Sequence, residues 1–308
     1  MYYFIVNPAA CGGQGERIWR KLERRVQRAG IPYRAYLTEG RGDAARYAAE
    51  ITGCCKEPCT VVAVGGDGTA NEVLNGLSVC DSVTCGLIPT GSGNDLARGL
   101  KLPCRPGGCL KRILKPRRIL NIDYGILSYE MGQPVHRRFV VSSGIGLDAA
   151  ICHSLLDTAV GRSALSRRIG WLRYASAGFK QLFKAEPVSG YVLLDGVKRV
   201  EFNHIYFISA HIHPWEGGGF QFAPKANPES GELELCVVHV SSRWKLFPVL
   251  LDAWAGRMGH HRGVRFYRCR EVQIHVDSPV PVHADGESCC CQTDIHLRCV
   301  EKKLRVIV

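Results

Sequence analysis

Three glycine-rich turns constrain this chain more than any other feature of its sequence: Asn7 to Gly15 (NPAACGGQG), Gly65 to Glu72 (GGDGTANE) and Pro89 to Arg98 (PTGSGNDLAR). Each follows an apolar run suited to a strand, Tyr2 to Val6, Thr60 to Val64 and Cys85 to Ile88. Each precedes a segment with helical character, Glu16 to Ala29, Ala70 to Leu77 and Asp95 to Leu100. Strand Tyr33 to Leu37 and helix Asp43 to Ile51 fall between the first two turns. Such alternation predicts a parallel sheet with helices on both faces, and the turns then leave the sheet at the carboxyl ends of its strands. Glycine lets a backbone approach closely, and N–H groups at helix starts favour anions, so three converging turns point to the phosphates of a nucleotide.

Individual residues of the turns suggest roles. Asp67, between glycines, puts a carboxylate beside phosphates, which is repulsive unless a divalent cation mediates or a proton is to be taken. Thr69 offers a hydroxyl, and Ser92, Gly93 and Asn94 are small donors. Asn71 and Glu72 are divided between ligand contact and helix capping, and Asp95 between a helix-start acid and a metal-linked role. With Asn7, Gly65, Gly66, Gly68 and Ala70, these form the candidate nucleotide contacts.

From about Ile119 strand-like runs follow one another: Ile119 to Ile126, Arg138 to Ser143, Val188 to Leu194, Arg199 to Phe202, Ile205 to Ala210, Leu233 to Val240, Val264 to Cys269, Val272 to Val276, Val280 to His283 and Ile295 to Val300. Two helical stretches interrupt, Ser163 to Phe183 and Trp244 to Arg257. This grammar predicts an antiparallel β-sandwich with inserted helices. The expected fold class is therefore α/β plus all-β, with a nucleotide-binding α/β domain over 1–123, a β-rich domain over 124–300, and a C-terminal strand over 301–308 returning to the first.

Charge narrows the partners. Among 308 residues, 40 Lys and Arg face 28 Asp and Glu, a formal charge of +12. Between Asp95 and Asp123 lie Arg98, Lys101 and six further basic residues with no acid; between Asp157 and Glu186 lie Arg167, Arg168, Arg173 and three others, again with no acid. The second stretch has an amphipathic pattern, so these residues are candidates for an anionic membrane surface, with a solvated basic face as the plainer alternative. No helix-turn-helix, zinc finger or aromatic RNA-binding signature supports nucleic acid. The absence of a membrane-spanning apolar run and of a basic leader points to a cytoplasmic protein. Fifteen cysteines without a CxxC pair then read as reduced thiols, and Cys289 to Cys291 would alternate faces on a strand. His211 and His213 read as surface or packing histidines.

The set NPAACGGQG, VGGDGTANEVLNGL and IPTGSGNDLARGL, in that order and spacing, resembles the diacylglycerol kinase and sphingosine kinase superfamily, and within it the bacterial lipid kinase branch. TEGRGDA from Thr38, GIGLDA from Gly144, GGGFQFAPKA from Gly217 and HADGE from His283 have counterparts in that branch. The resemblance implies a kinase that transfers a phosphoryl group from Mg-ATP to a lipid hydroxyl, with diacylglycerol the expected acceptor and phosphatidic acid the product. It implies nucleotide contacts at Thr38, Gly66 to Glu72 and Ser92, and a general base at Glu287. Read alone, Asp285-Gly286-Glu287 is an ordinary hairpin turn, since Asp-Gly is a common turn pair. The branch also holds a structural Mg²⁺ with an aspartate that corresponds to Ser230; the positions here are Asn227, Ser230 and Glu232, and a weakened or absent site is expected because a hard anionic ligand is missing.

The alternatives are a kinase for another acceptor (a sphingoid base, phosphatidylglycerol or a soluble alcohol, as in the NAD kinases) and a catalytically silent protein that binds nucleotide and membrane. The oligomeric state is open, and a homodimer is compatible with the sequence.

Overall fold

The computed structural model describes residues 1–53, 57–157 and 181–308. Arg167, Arg168, Arg173 and most of the expected helix Ser163 to Phe183 lie outside the described residues, as do Cys54 and Cys55. The chain divides into two compact units, Met1–Asp123 with Lys302–Val308, and Tyr124–Glu301.

In the first unit, strands β1 (Tyr2–Val6), β2 (Tyr33–Leu37), β3 (Cys59–Gly65) and β4 (Val83–Pro89) lie in the order β2-β1-β3-β4, all parallel. Registers such as Phe4 with Val62 and Val61 with Cys85 align the strand ends. Val306, in the C-terminal segment, pairs in parallel with Cys85. Helices α1 (Gly15–Arg28), α2 (Asp43–Gly53), α3 (Asp67–Gly76), α4 (Asp95–Gly99) and α5 (Pro106–Leu114) fill the crossovers and the segment that follows. The spacing of Trp19, Leu22 and Val26 puts them on one buried face of α1, against Phe4, Val62 and Val64, with Leu110 and Ile113 of α5. The rings of Trp19 and Phe4 are 4.9 Å apart. Each such fully buried aliphatic side chain stabilises the fold by about 1.5–3 kcal/mol.

The second unit is antiparallel. Its strands are the latter part of β5 (Ile119–Glu130), then β6 (Pro134–Phe139), β7 (Ser142–Gly146), β8 (Val188–Leu194), β9 (Lys198–His211), β10 (Leu233–His239), β11 (Val264–Cys269), β12 (Glu271–Ala284) and most of β13 (Glu287–Ile307). The order β11-β10-β9-β7-β12-β13 forms the main sheet; β8 bridges β9 and β12, and β6 pairs with β5. One core contains Leu127, Phe139, Ile145, Val192, Ile208 and Ile274. A second contains Phe207, Phe222 and Val238 under helix α7 (Leu246–Trp254), whose buried residues are Leu246, Val249 and Ala253.

Several elements differ from expectation. Helix α3 begins at Asp67, three residues early, because extended Gly66 already serves as its N-cap. Helix α6 (Leu147–Asp157) and α5 were not foreseen: α6 follows β7 with no intervening loop, at Gly146, whose φ is +115°. The runs Arg199 to Phe202 and Ile205 to Ala210 join into β9 through His204, which adopts a left-handed φ of 58°. Arg138 to Ser143 instead divides between β6 and β7.

Candidate active site

The three turns and Thr38 lie at one edge of the first unit, since β1, β2, β3 and β4 are parallel neighbours and each ends there. The Thr38 amide donates to the Val6 carbonyl at 2.9 Å, extending β2 toward the first turn, and Thr38 is buried. In that turn the Ala9 amide donates to Asn7 Oδ1 at 3.0 Å, while Asn7 Nδ2 donates to Thr69 Oγ1 at 3.1 Å. Asn7 thereby ties the first turn to the second. A Cβ at Gly15 would meet the carbonyl oxygen of Pro8 at 2.9 Å, so the loop closes only with glycine there.

The second and third turns pack backbone to backbone. A Cβ at Gly91 would stand 2.6 Å from Gly66 Cα, and one at Gly66 would stand 3.1 Å from Gly91 Cα. Asn94, at φ 54°, locks the third turn from within: its Oδ1 accepts from the Gly91 amide at 3.0 Å and its Nδ2 donates to the Gly91 carbonyl at 2.8 Å. The Thr90 amide donates to the Gly65 carbonyl at 2.7 Å. Thr90 Oγ1 is buried without a hydrogen-bond partner among the described residues, a polar atom that the sequence did not single out. Ser92 is exposed at the tip of the turn.

The acids of this edge are already engaged. The Leu96 amide donates to Asp67 Oδ1 at 3.2 Å. Burial raises the Asp67 carboxyl above the ordinary carboxylate range, opposed by hydrogen bonds from the Leu96, Asp95 and Asn94 amides. Glu72 accepts from the Gly42 amide at 3.0 Å and the Ala44 amide at 3.3 Å, so it caps α2. Asn71 is buried in α3. Asp95 ion-pairs with Arg98. Arg98, expected on a membrane surface, is instead tied to Asp95 and to the Gly93 carbonyl, 3.3 Å away; Lys101 is exposed.

In the second unit, β12 and β13 are joined by Asp285 and Gly286, with Ala284 paired to Glu287. Both loop residues have positive φ, 49° and 82°, the signature of a two-residue type I′ hairpin. The ordinary-hairpin reading is thus geometrically right, yet the turn is held far more firmly than a hairpin requires. Asp285 Oδ2 accepts from the Val140 amide at 2.9 Å, and Oδ1 accepts from the Val141 and Ser142 amides at 2.8 and 3.0 Å. The Asp285 amide in turn donates to the Ser142 carbonyl at 2.8 Å. Glu287, the next residue, is partly exposed.

Beneath the hairpin lies a cluster that the sequence reading missed. His283 Nε2 is 3.3 Å from both Asp148 Oδ2 and Glu216 Oε1, and all three residues are buried. Glu216 Oε2 is 3.5 Å from His211 Nε2, and Ser209 Oγ shares a 2.8 Å hydrogen bond with the same nitrogen. Of the two readings of His211 and His213, surface or packing, their full burial agrees with packing. Asp148 and His283 sat within the GIGLDA and HADGE motifs, but nothing in the sequence paired them with Glu216.

Asp148, Glu216 and His283 have the spacing of a metal site. Hydrogen bonding favours another reading. The Gly286 amide donates to His283 Nδ1 at 3.1 Å, which requires a lone pair on Nδ1 and places the ring proton on Nε2, facing the carboxylates. Burial lowers the His283 pKa, but Cys152, Asp148 and Glu216 outweigh it and the net shift is upward, toward a charged ring that the Gly286 amide opposes at Nδ1. The amide decides the tautomer, because a proton on Nδ1 would set two N–H groups against each other. Burial correspondingly raises Asp148; Glu216 is held low despite its burial by His283 and His211. The cluster is a carboxylate–imidazole–carboxylate brace under the Asp285-Gly286-Glu287 turn.

At the expected structural Mg²⁺ position, Ser230 Oγ donates to the Asn227 carbonyl at 2.8 Å and accepts from the Glu232 amide at 3.3 Å. A neutral hydroxyl bridges the loop where a cation would gather carbonyls, so Asn227, Ser230 and Glu232 do not fit a hard dication.

Comparison with known proteins places these features. The family described as diacylglycerol kinase catalytic domain matches residues 1–125, and that described as YegS C-terminal NAD kinase beta sandwich-like domain matches residues 143–308. A candidate lipid kinase of Bacillus subtilis, YtlR, is 26% identical over 93% of this chain and 93% of its own. A diacylglycerol kinase of the same organism is 25% identical over 92% of this chain and 88% of its own. The crystal structure of a diacylglycerol kinase from Bacillus anthracis superposes with a TM-score of 0.71 at 20% identity, covering 99% of this chain and 96% of that one, and shares the fold.

Proposed function

Because this chain belongs to the lipid kinase family that joins a diacylglycerol kinase catalytic domain to a YegS-type C-terminal domain, we propose that it transfers the γ-phosphoryl group of Mg-ATP to the hydroxyl of diacylglycerol, giving phosphatidic acid. The observation that carries this reading is the convergence of Asn7, Thr38, the Gly65 to Glu72 turn and the Pro89 to Asn94 turn at the carboxyl edge of one parallel sheet. Glycines pressed together there leave backbone amides, in place of side chains, to meet phosphate oxygens. When bound, Mg²⁺ offsets charge on the transferred group.

Glu287 accepts the proton of the lipid hydroxyl as the hydroxyl oxygen bonds to the γ-phosphorus, and the bond from that phosphorus to the β–γ bridging oxygen breaks, with ADP leaving. Asp285, through the three amides it holds, and His283, through the Gly286 amide, fix the turn that presents Glu287. Such positioning keeps the base where a proton can be taken without reorganisation. Sphingoid bases and phosphatidylglycerol are alternative acceptors.

The experiment is phosphate transfer from labelled ATP to a panel of lipid and water-soluble alcohols. Labelled phosphatidic acid supports the reading. Labelling of a soluble alcohol in preference to every lipid would replace the acceptor class, and no labelling of any acceptor would favour a silent nucleotide-binding protein.

A further inference from the structure

Helix α7 is apolar on two opposite faces. Leu246, Val249 and Ala253 are buried on one. At about 100° per residue, Phe247, Leu251 and Trp254 fall on the other, and Trp244 stands in the 3₁₀ turn Arg243–Lys245 that leads into the helix. Trp244 is 62% exposed, Leu251 64% and Trp254 71%. Phe247 stacks on Trp244 with ring centroids 6.5 Å apart, and Phe183 meets the same indole edge-on at 5.7 Å. Scattered exposed apolar residues are ordinary, but two indoles and a leucine exposed together on one short helix and the turn that leads into it are not.

Charge identifies what would cover it. Residues 241–270 contain Arg243, Lys245, Arg257, Arg262, Arg265, Arg268 and Arg270 and a single acid, Asp252. That acid is itself neutralised, 3.5 Å from Arg257 Nε and 3.2 Å from His261 Nε2. Arg243 Nη1 donates to the Phe183 carbonyl at 2.7 Å, which holds this cation beside the aromatic cluster. Tryptophan partitions to the boundary of headgroups and acyl chains, and flanking lysine and arginine select anionic lipid.

We propose that the stripe Trp244, Leu251 and Trp254, with its basic border Arg243 and Lys245, is the surface through which the protein docks on an anionic bilayer, α7 lying in the plane of the interface. This rests on the lipid kinase reading for its purpose, since a kinase acting on diacylglycerol must reach an acceptor held in a membrane. It differs from the surface expected around Arg98 and Lys101, of which Arg98 is ion-paired.

The test is co-sedimentation with vesicles of phosphatidylcholine alone and of phosphatidylcholine mixed with phosphatidylglycerol, for the parent chain, a W244A/L251A/W254A variant and an R243E/K245E variant. Urea midpoints establish that each is folded; all the changed positions are exposed. Transfer to a short-chain diacylglycerol dispersed in detergent is measured in parallel. The parent should bind the anionic vesicles with an apparent affinity at least tenfold above either variant, lose that advantage as salt rises, and show a blue shift of indole emission. All three should phosphorylate the dispersed acceptor equally. Parent-like vesicle binding by the W244A/L251A/W254A variant would overturn the proposal. So would a concentration-dependent dimer that this variant abolishes, because the stripe would then be covered by a second copy. Vesicle binding without phosphate transfer to any lipid would leave the surface standing and remove the kinase reading.

Discussion

The backbone amide of Gly286, in the hairpin turn, donates to Nδ1 of His283, three residues earlier near the end of β12, at 3.1 Å. That bond makes the buried imidazole a strut between the turn bearing Glu287 and the carboxylates of Asp148 and Glu216. Replacing His283 with Ala removes the acceptor and leaves two buried carboxylates facing each other. The expected result is a fall in kcat of at least tenfold with KM for ATP unchanged. His283→Gln, which can again accept at one end and donate at the other, should recover part of the loss. Equal effects on kcat and KM, or no difference between Ala and Gln, would mean that His283 supports the fold and not the turn.

Gly66 and Gly91 test the phosphate edge. A methyl group at Gly91 meets the Gly66 backbone at 2.6 Å, which nothing flexible can relieve, whereas the same change at Gly66 meets Gly91 at 3.1 Å. G91A should weaken ATP binding at least tenfold, and G66A less, by calorimetric titration. An order reversed between the two would show that the turns do not form the cradle by their mutual contact.

His213 makes a prediction about acid. It is fully buried, its nitrogens lack hydrogen-bond partners among the described residues, and burial lowers its pKa to about 4. The unfolded chain binds this proton near pH 6.5, so below that pH the unfolded state carries more protons and stability falls, progressively, until about pH 4. The contribution is roughly 3 kcal/mol across that window. Urea midpoints between pH 7 and pH 4 should fall less steeply in H213Q than in the parent; identical slopes would remove His213 as a cause.

Ser230 gives a test by restoration. S230D supplies the anionic ligand missing from the Asn227 to Glu232 loop. Millimolar Mg²⁺ should raise the melting temperature of S230D and leave the parent unchanged. A Mg²⁺-dependent rise in the parent would show that the existing carbonyls suffice to hold a cation.

Much of the first unit was legible because its strands and turns are local in sequence: apolar run, glycines, helix, three times over. The order of the turns along one edge followed from parallel pairing. Less local relationships were hidden. Glu72 caps α2 from 30 residues beyond Gly42, and only the fold brings them together. Glu216 joins His283 and Asp148 from three separate segments, and no periodicity links those positions. The opposite surface of α7 escaped notice because an apolar helix in a β-rich domain is usually taken as wholly buried, and exposure of Trp254 is decided by the sheet beneath it. Ser230 was legible as a departure, but the bonds by which its hydroxyl bridges the loop were not.

The most direct measurement is phosphate transfer from labelled ATP to diacylglycerol in mixed micelles by the parent chain and E287Q, with ATP affinity determined alongside. Transfer by the parent, a loss of at least a thousandfold in E287Q and unchanged ATP affinity are the expected results, in line with the removal of a general base from a positioned site. Full activity in E287Q would contradict the assignment of Glu287 as the group that takes the lipid proton.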